Sequence, residues 1–355
     1  MKLLFFLPLI PFLVFSQISD RPNVVLFMAD DMGMGDTSAY QFYTKNSDDQ
    51  QVHTPAMEKL ASMGMLFTDA HTPSSRCTPT RYGLLTGRYP WRARMKHWVL
   101  FGVQGDPLIE EDRPTLATLF RSCGYATAMV GKWHLGHAQQ SYHPNARGFE
   151  HFYGHLHTEV GFYPPFASLG GKDFQRNGVS IDDQGYESFL LADEVSRYIE
   201  ERDKTRPFFI YMPFIAPHTP LDAPDHLQAK YADMPDERGK SRSKMADNTR
   251  FMAKMTGRDS ARPMYAAVVD GMDQSIGKVL DTLDTEGLAD TTIVLFFSDN
   301  GGAVYAIGGA DNAPLRGGKG DTFEGGIRVV ATVRWPEQIP AGSRVDSIMS
   351  VMDVL

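Results

Sequence analysis

Four short apolar runs, each ending in charged or metal-binding side chains, constrain this chain more than any other feature. Asn23 to Ala29 (NVVLFMA) runs into Asp30 and Asp31, and Tyr125 to Val130 (YATAMV) into Gly131-Lys132-Trp133-His134. Phe208 to Ala216 (FFIYMPFIA) is followed by Pro217-His218, and Thr292 to Phe297 (TIVLFF) by Ser298-Asp299-Asn300-Gly301-Gly302. Runs this short without polar alternation read as strands buried on both faces, which means a mostly parallel sheet. Such sheets place binding groups just beyond the carboxyl ends of their strands. One polar ending is a commonplace; four in one chain predict a single polar site along one sheet edge.

Helical signals fill the gaps. Thr54-Pro55 is a cap followed by a favoured first-turn proline, with Gly64 stopping a helix near Met63. Thr115 to Ser122 reads as a second helix stopped by Gly124. Ala266 to Leu283 reads as a longer one, its apolar residues at Val268, Val269, Met272, Ile276, Val279, Leu280 and Leu283. Strands alternating with helices predict an α/β layered fold. His151 to Gly185 is rich in Gly, Pro and aromatic residues without a clear period. Asp236 to Arg262 is polar and charged. Both read as long loops, of the kind that shape a substrate opening, although a solvated surface excursion fits the second equally well. Asp346 to Leu355 reads as the start of an amphipathic helix that stops without a cap, as in a chain cut before its last part.

With 42% hydrophobic and 22% charged residues over 355 positions, the composition is globular; the length suits two domains or one large α/β domain. A net charge of -8 and the lack of a basic stripe exclude a nucleic-acid partner. Lys2, the apolar stretch from Leu3 to Phe15 and the small Val14 and Ser16 read as a secretory signal peptide over 1–16. That stretch is shorter than the roughly 20 residues a membrane span needs, so the expected chain is 17–355, secreted or periplasmic, without a membrane anchor. Two cysteines make no disulfide framework.

Asp30-Asp31 and Asp299-Asn300 offer three carboxylates and an amide oxygen, all at predicted strand ends. An all-oxygen set suits a hard divalent cation, Ca²⁺ first and Mg²⁺ second. Zinc fits less well without His or Cys there. An Asp-Asp pair after one strand is by itself more often a turn or cap; the second pair after a second strand is what raises the metal reading.

Cys77 stands in Cys77-Thr78-Pro79-Thr80-Arg81, continued by Leu85-Thr86-Gly87-Arg88. This stretch resembles the signature of the type I, formylglycine-dependent sulfatases, with Thr80 where serine is commoner. The resemblance runs along the mature chain. It includes Arg21-Pro22-Asn23 to Gly35-Asp36, Gly131 to Gly136, Pro217-His218-Thr219-Pro220, Ser298 to Gly302, Leu315 to Gly320 and Glu324 to Arg328. It implies an alkaline phosphatase-like fold, a large mostly parallel sheet sandwiched by helices. The family's small C-terminal subdomain is missing or truncated here.

The resemblance also implies the chemistry. One Ca²⁺ would be held by Asp30, Asp31, Asp299, Asn300 and residue 77. Cys77, oxidised to formylglycine (3-oxoalanine) by a maturation enzyme, would be the nucleophile. Arg81 and Lys132 would hold it and its sulfate adduct, His134 would take the proton of its second hydroxyl, and His218 and Lys319 would contact the sulfate and assist the leaving oxygen. A hydrated aldehyde carries two hydroxyls, one to attack sulfur and one whose deprotonation expels sulfate; a serine would stall at the ester. Cys123 has no such context and reads as a buried structural thiol.

The expected activity is hydrolysis of sulfate from a sulfated carbohydrate, with aryl sulfates as reporters, as in sulfated polysaccharide degradation. Tyr153, His155, His157 and Phe162 are candidate sugar contacts. Two alternatives stand beside this: a phosphoester or phosphonate hydrolase of the same superfamily, and a non-catalytic glycan-binding protein whose cysteine is never converted.

Overall fold

The computed structural model describes residues 21–44, 52–96, 98–101, 108–158, 160–164, 167–168, 171–235, 262–304, 309–336 and 338–355. The expected signal peptide and the polar stretch 236–261 lie outside the described residues.

The four apolar runs are strands. They occupy Asn23–Ala29 (β1), Ala126–Lys132 (β3), Phe208–Pro213 (β5) and Thr292–Ser298 (β6). Three further strands complete the body of the sheet: Met65–His71 (β2), His151–His155 (β4) and Arg328–Arg334 (β7). The order β6-β1-β5-β3-β4 is parallel throughout, with β1 and β5 at its centre. β7 then runs antiparallel to β6, and β2 antiparallel to β7. Short strands at Ser343–Val345 and Met349–Ser350 pair with β2, and Gln175–Arg176 and Val179–Ser180 extend the other edge, making an 11-stranded mixed sheet. The parallel centre matches the reading of the runs; the antiparallel flanks carry no such signal.

Helices cover both faces. The main ones are Pro55–Met63 (α1), Cys77–Thr86 (α2), Leu116–Ser122 (α3), Glu187–Glu200 (α4) and Arg262–Thr285 (α5). Alternate residues of β1 feed two cores. Val25 and Phe27 pack with Leu191 and Val195 of α4 and Val268 and Met272 of α5. Leu26 and Met28 pack on the opposite face with Tyr82 and Leu85 of α2 and Leu116 of α3. Each such fully buried large side chain contributes about 1.5–3 kcal/mol. Among the described residues no helix is long and apolar enough to cross a membrane.

Local signals hold with one change of partner. Thr115 caps α3, its hydroxyl accepting from Thr118 N at 3.1 Å. Thr54 precedes α1 without capping it. The carboxylate of Asp273, on α5, instead accepts from Ala56 N and Met57 N at 2.9 Å each, so a neighbouring helix satisfies the free donors.

Three expectations fail. Asp346 to Leu355 is no amphipathic helix. Met349–Ser350 joins the sheet beside β2, and Val351–Val354 is a 3-10 turn whose Ser350 cap accepts from Met352 N. Cys123 is exposed rather than buried, because it closes the exposed end of α3. The stretch from His151 is not one long loop, since its first five residues form β4, buried except for His151.

Candidate active site

The sheet delivers the predicted metal ligands, Lys132 and His218 to one edge. Asp30 and Asp31 follow β1, Lys132 ends β3, His218 follows β5, and Asp299 and Asn300 follow β6. Backbone bonds fix their register: Asp30 N donates to Ala216 O and Asp299 N to Ala29 O, each at 3.0 Å. Asp31 N donates to Asp299 Oδ1 at 3.2 Å. Asp31 (φ 70°) and His134 (φ 57°) are left-handed although neither is glycine. Such backbone costs about 1–3 kcal/mol per residue and persists where the surroundings over-determine it. In both cases it sits at the turn that aims the side chain into the site.

The carboxylates are fully buried and matched by cations. Arg81 Nη2 lies 3.0 Å from Asp30 Oδ2 and from Asp299 Oδ2, and Arg81 Nη1 donates to Lys132 O at 2.9 Å. Lys132 Nζ pairs with Asp30 Oδ2 and donates to Thr158 Oγ1 at 2.7 Å. Lys319 Nζ donates to Asp31 Oδ2 at 2.6 Å. Burial opposes charge on Asp30, but Lys132, His218, Arg81 and Lys319 together hold its carboxyl far below the usual range. Burial, reinforced by the Asp30 charge, pushes Asp299 up to about 7.

A metal ion fits this donor set on an observation of the structure itself. Asp30 Oδ1 and Asn300 Oδ1 are buried oxygens without a hydrogen-bond partner. Buried acceptors are rarely left so, and a cation is one of the few things that explains them. Asp30, Asp31 and His218 each bring a ligand atom within 4.8 Å of the others. His218 stands in this group, whereas the sequence reading gave the ion to Asp30, Asp31, Asp299, Asn300 and residue 77. An imidazole widens the choice of ion, while the carboxylate and amide oxygens still favour a hard one.

The nucleophile candidate faces the same place. Cys77 opens α2, is buried, and shares a cleft of about 180 Å³ with Asp31, His134, His218 and Lys319. Burial pushes its thiol up to about 11 despite Lys132 and Lys319. As an unmodified cysteine it is therefore a protonated thiol, unlike the low-pKa cysteines that act as nucleophiles themselves.

The histidines are set by carbonyl oxygens. Nε2 of His134 lies 2.9 Å from Leu100 O, which only accepts, so the proton is on Nε2 and the buried Nδ1 has a free lone pair. Burial and then Lys132 hold His134 well below the usual histidine range, so it stays neutral. Nδ1 of His218 donates to Thr219 O, and burial followed by Lys319 lowers its pKa to about 4.

Two predicted sulfate-binding groups are engaged by the carboxylates. Arg81 and Lys132 are fully buried behind the carboxylates, committed to Asp30 and Asp299, and do not line the cleft. Of the predicted cations, Lys319 does. The four candidate sugar contacts are also displaced. Tyr153, His155, His157 and Phe162 are at most 2% exposed, inside the protein, because β4 is an inner strand of the sheet and Tyr153 and Phe162 belong to its core. The cleft wall is instead built by Arg76, Val99, Phe101 and Thr158. Thr78 was also missed, although its hydroxyl lies 3.1 Å from His134 Nε2. The sequence offered a signal only for Thr78 and Arg76, which flank Cys77.

The fold and this edge define an alkaline phosphatase-like α/β protein with a metal-fitting polar site. The sulfatase family model matches residues 22–355, and the chain belongs to that family. Human steryl-sulfatase is 27% identical over 96% of this chain and 66% of its own length. Human N-acetylgalactosamine-6-sulfatase is 30% identical over 96% of this chain and 62% of its own length. Mouse arylsulfatase G is 30% identical over 99% and 67%. The chain thus spans about two thirds or less of the first two. Among solved structures, Ps i-CgsB in complex with k-i-k-neocarrahexaose superposes with a TM-score of 0.78 at 30% identity, covering 94% of this chain and 70% of that one. The phosphonate monoester hydrolase of Agrobacterium radiobacter shares the fold at 22% identity, TM-score 0.63, over 94% and 72%.

Proposed function

We propose that the chain hydrolyses sulfate esters of carbohydrates, with residue 77 as formylglycine and one Ca²⁺ in the carboxylate cluster. One observation carries this: Cys77, two neutral histidines, Lys319 and a carboxylate meet in one small cleft at the carboxyl edge of the sheet. Its cysteine lies in the maturation-type sequence Cys77-Thr78-Pro79-Thr80-Arg81.

Asp30, Asp31, Asp299 and Asn300 would hold the ion, with His218 beside them. When bound, Ca²⁺ supplies positive charge to the attacking oxygen and the sulfuryl oxygens. Conversion of Cys77 supplies an attacking hydroxyl and a second hydroxyl on the same carbon. His134 is placed to accept the proton of that second hydroxyl, since its Nδ1 is unprotonated and its ring is pinned by Leu100 O. Lys319 meets the sulfate charge from the open side of the cleft. His218, neutral in this structure, needs a proton before it can donate one, so Lys319 is the readier partner of the leaving oxygen. Arg81 and Lys132 keep Asp30 ionised, and Arg81 orients Asp299.

Names among the relatives support a sugar substrate: one acts on an N-acetylgalactosamine 6-sulfate, and one solved structure holds a neocarrahexaose. The leader-like Lys2 to Ser16 supports export to the periplasm or medium, and a maturation enzyme would act on the chain before turnover.

The test is the initial rate on paired aryl sulfate and aryl phosphate substrates, with the intact mass of the Cys77 peptide from the native host. Sulfate release with an aldehyde-bearing peptide supports the reading. Preference for phosphate or phosphonate esters would move the chain to the phosphonate hydrolase side. An unmodified thiol with no turnover would leave a glycan-binding protein.

A further inference from the structure

We propose that Arg76, stacked on Trp98 with Phe101 beside it, forms a subsite at the cleft mouth for a second acidic group on the saccharide, so that the substrate is a polyanionic sugar rather than a singly sulfated one. This rests on the sulfatase reading and adds the substrate class. The cleft of about 180 Å³ is small beside the roughly 300–1,000 Å³ of pockets that engulf a whole ligand. It has room for the reacting group, and the sugar must lie at its mouth.

What stands at that mouth is aromatic and cationic. Trp98 and Phe101 are 49% and 51% exposed, with ring centroids 6.2 Å apart. Exposed large aromatic surface next to a cleft marks a binding face. The guanidinium of Arg76 lies 4.4 Å from the centroid of Trp98. Among the described residues the guanidinium of Arg76 makes no ion pair with a carboxylate, in contrast to Arg81, Lys132 and Lys319, each bound to one. A guanidinium stacked on indole keeps its N–H edge free for bidentate contact with a carboxylate or sulfate.

The platform is registered to the chemistry. Arg76 is the cap residue of α2, one position before Cys77. Between the two rings, Leu100 N donates to Thr78 Oγ1 at 3.2 Å and Leu100 O accepts from His134 Nε2 at 2.9 Å. Gly320 closes the other side of Arg76. It is left-handed at φ +86°, and a Cβ there would come within 3.1 Å of Arg76 Nη2. The cation thus stands between the Trp98 ring and the Lys319-Gly320 turn, in the wall of the cleft.

The test is calorimetric binding to the calcium-loaded Cys77→Ala chain, which cannot turn the ligand over. The probes are monosulfated and disulfated neocarrabiose and a sulfated uronate disaccharide. At least one doubly charged probe should bind ten-fold or more tighter than the monosulfated one. Adding Arg76→Ala should bring that ratio within about two-fold, as expected for one lost charge-assisted contact. Arg76→Lys should keep part of it, and Trp98→Ala should weaken all three sugars. The two acidic arms tell whether sulfate or carboxylate is read. Equal binding of all probes with Arg76 intact, or a ratio that Arg76→Ala leaves unchanged in a protein that melts normally, would overturn the subsite. Failure of the mature chain to release sulfate from an aryl sulfate would instead sink the activity, while the binding ratios still judge Arg76.

Discussion

Lys319 Nζ lies 2.6 Å from Asp31 Oδ2, and both side chains are almost wholly buried. A buried pair of this kind gives modest net stability, but removing one partner leaves an uncompensated charge. Lys319→Ala should therefore cost about 3–5 kcal/mol in a chelated protein. If a cation sits beside Asp31, calcium should return much of that loss. The same variant should lose roughly 10²–10³-fold in kcat/KM for an aryl sulfate, as when a group meeting developing charge is removed. Thermal melts with and without calcium, beside the rates, check both halves. A calcium-independent loss of stability would count against a metal at Asp31.

Asp30 Oδ1 and Asn300 Oδ1 make a second prediction, since both are buried without partners. Calcium at one hundred times its Kd should stabilise the wild-type chain by about 2.7 kcal/mol. Asn300→Leu and Asp30→Asn should each abolish most of that gain. Magnesium should give less, because it tolerates fewer non-ideal ligand geometries. A gain that persists undiminished in both variants would show that calcium acts elsewhere.

Replacing Cys77 tests the chemistry directly. A serine there has one hydroxyl and no way to expel sulfate from its own ester. Cys77→Ser should fall by roughly 10³-fold or more in kcat, as expected for loss of a covalent catalyst. Mass spectrometry after incubation with an aryl sulfate should show sulfate retained on the Cys77→Ser peptide. Turnover near the wild-type rate would place the nucleophile at another residue.

Much of this was legible in the sequence, for a physical reason. β1 is buried on both faces and β6 is apolar on both, so their runs mark their ends within a residue, and the polar residues after them mark the site. β2 was not legible: its inward set is Leu66, Thr68 and Ala70, while the larger Met65 and Phe67 face outward, which hides the alternation. The position of Arg81 was equally hidden. Its charge suggests sulfate, but only the packing of α2 against the sheet shows that Asp30 and Asp299 take its donors. The aromatic residues expected to meet a sugar are buried instead. The β4 aromatics are core, while Trp98 and Phe101, in a stretch without periodicity, are exposed beside the cleft. The glycines after Asn300 have their reason only in space: a Cβ on Gly301 would come 1.7 Å from Gly325 O.

Glu194 carries a prediction about stability away from the cleft. Its Oε1 accepts from His151 Nε2 at 2.7 Å and Arg197 Nη2 at 2.6 Å, and its Oε2 from Arg176 Nη2 at 2.9 Å. Burial opposes its charge, but the His151, Arg176 and Arg197 bonds prevail and lower its pKa from 4.5 to about 2. The folded chain thus binds this proton less readily than the unfolded chain. The stabilisation is complete above about pH 4.5 and is lost as the pH falls towards 2. Glu194→Gln should cost about 1–3 kcal/mol at neutral pH, towards the low end because both arginines are partly exposed. It should also flatten the fall in stability between pH 5 and 2 relative to wild type. Denaturant titrations in chelator, which remove any metal contribution from both proteins, check the difference. Parallel wild-type and Glu194→Gln curves across that range would mean that the three bonds do not favour the ionised carboxylate.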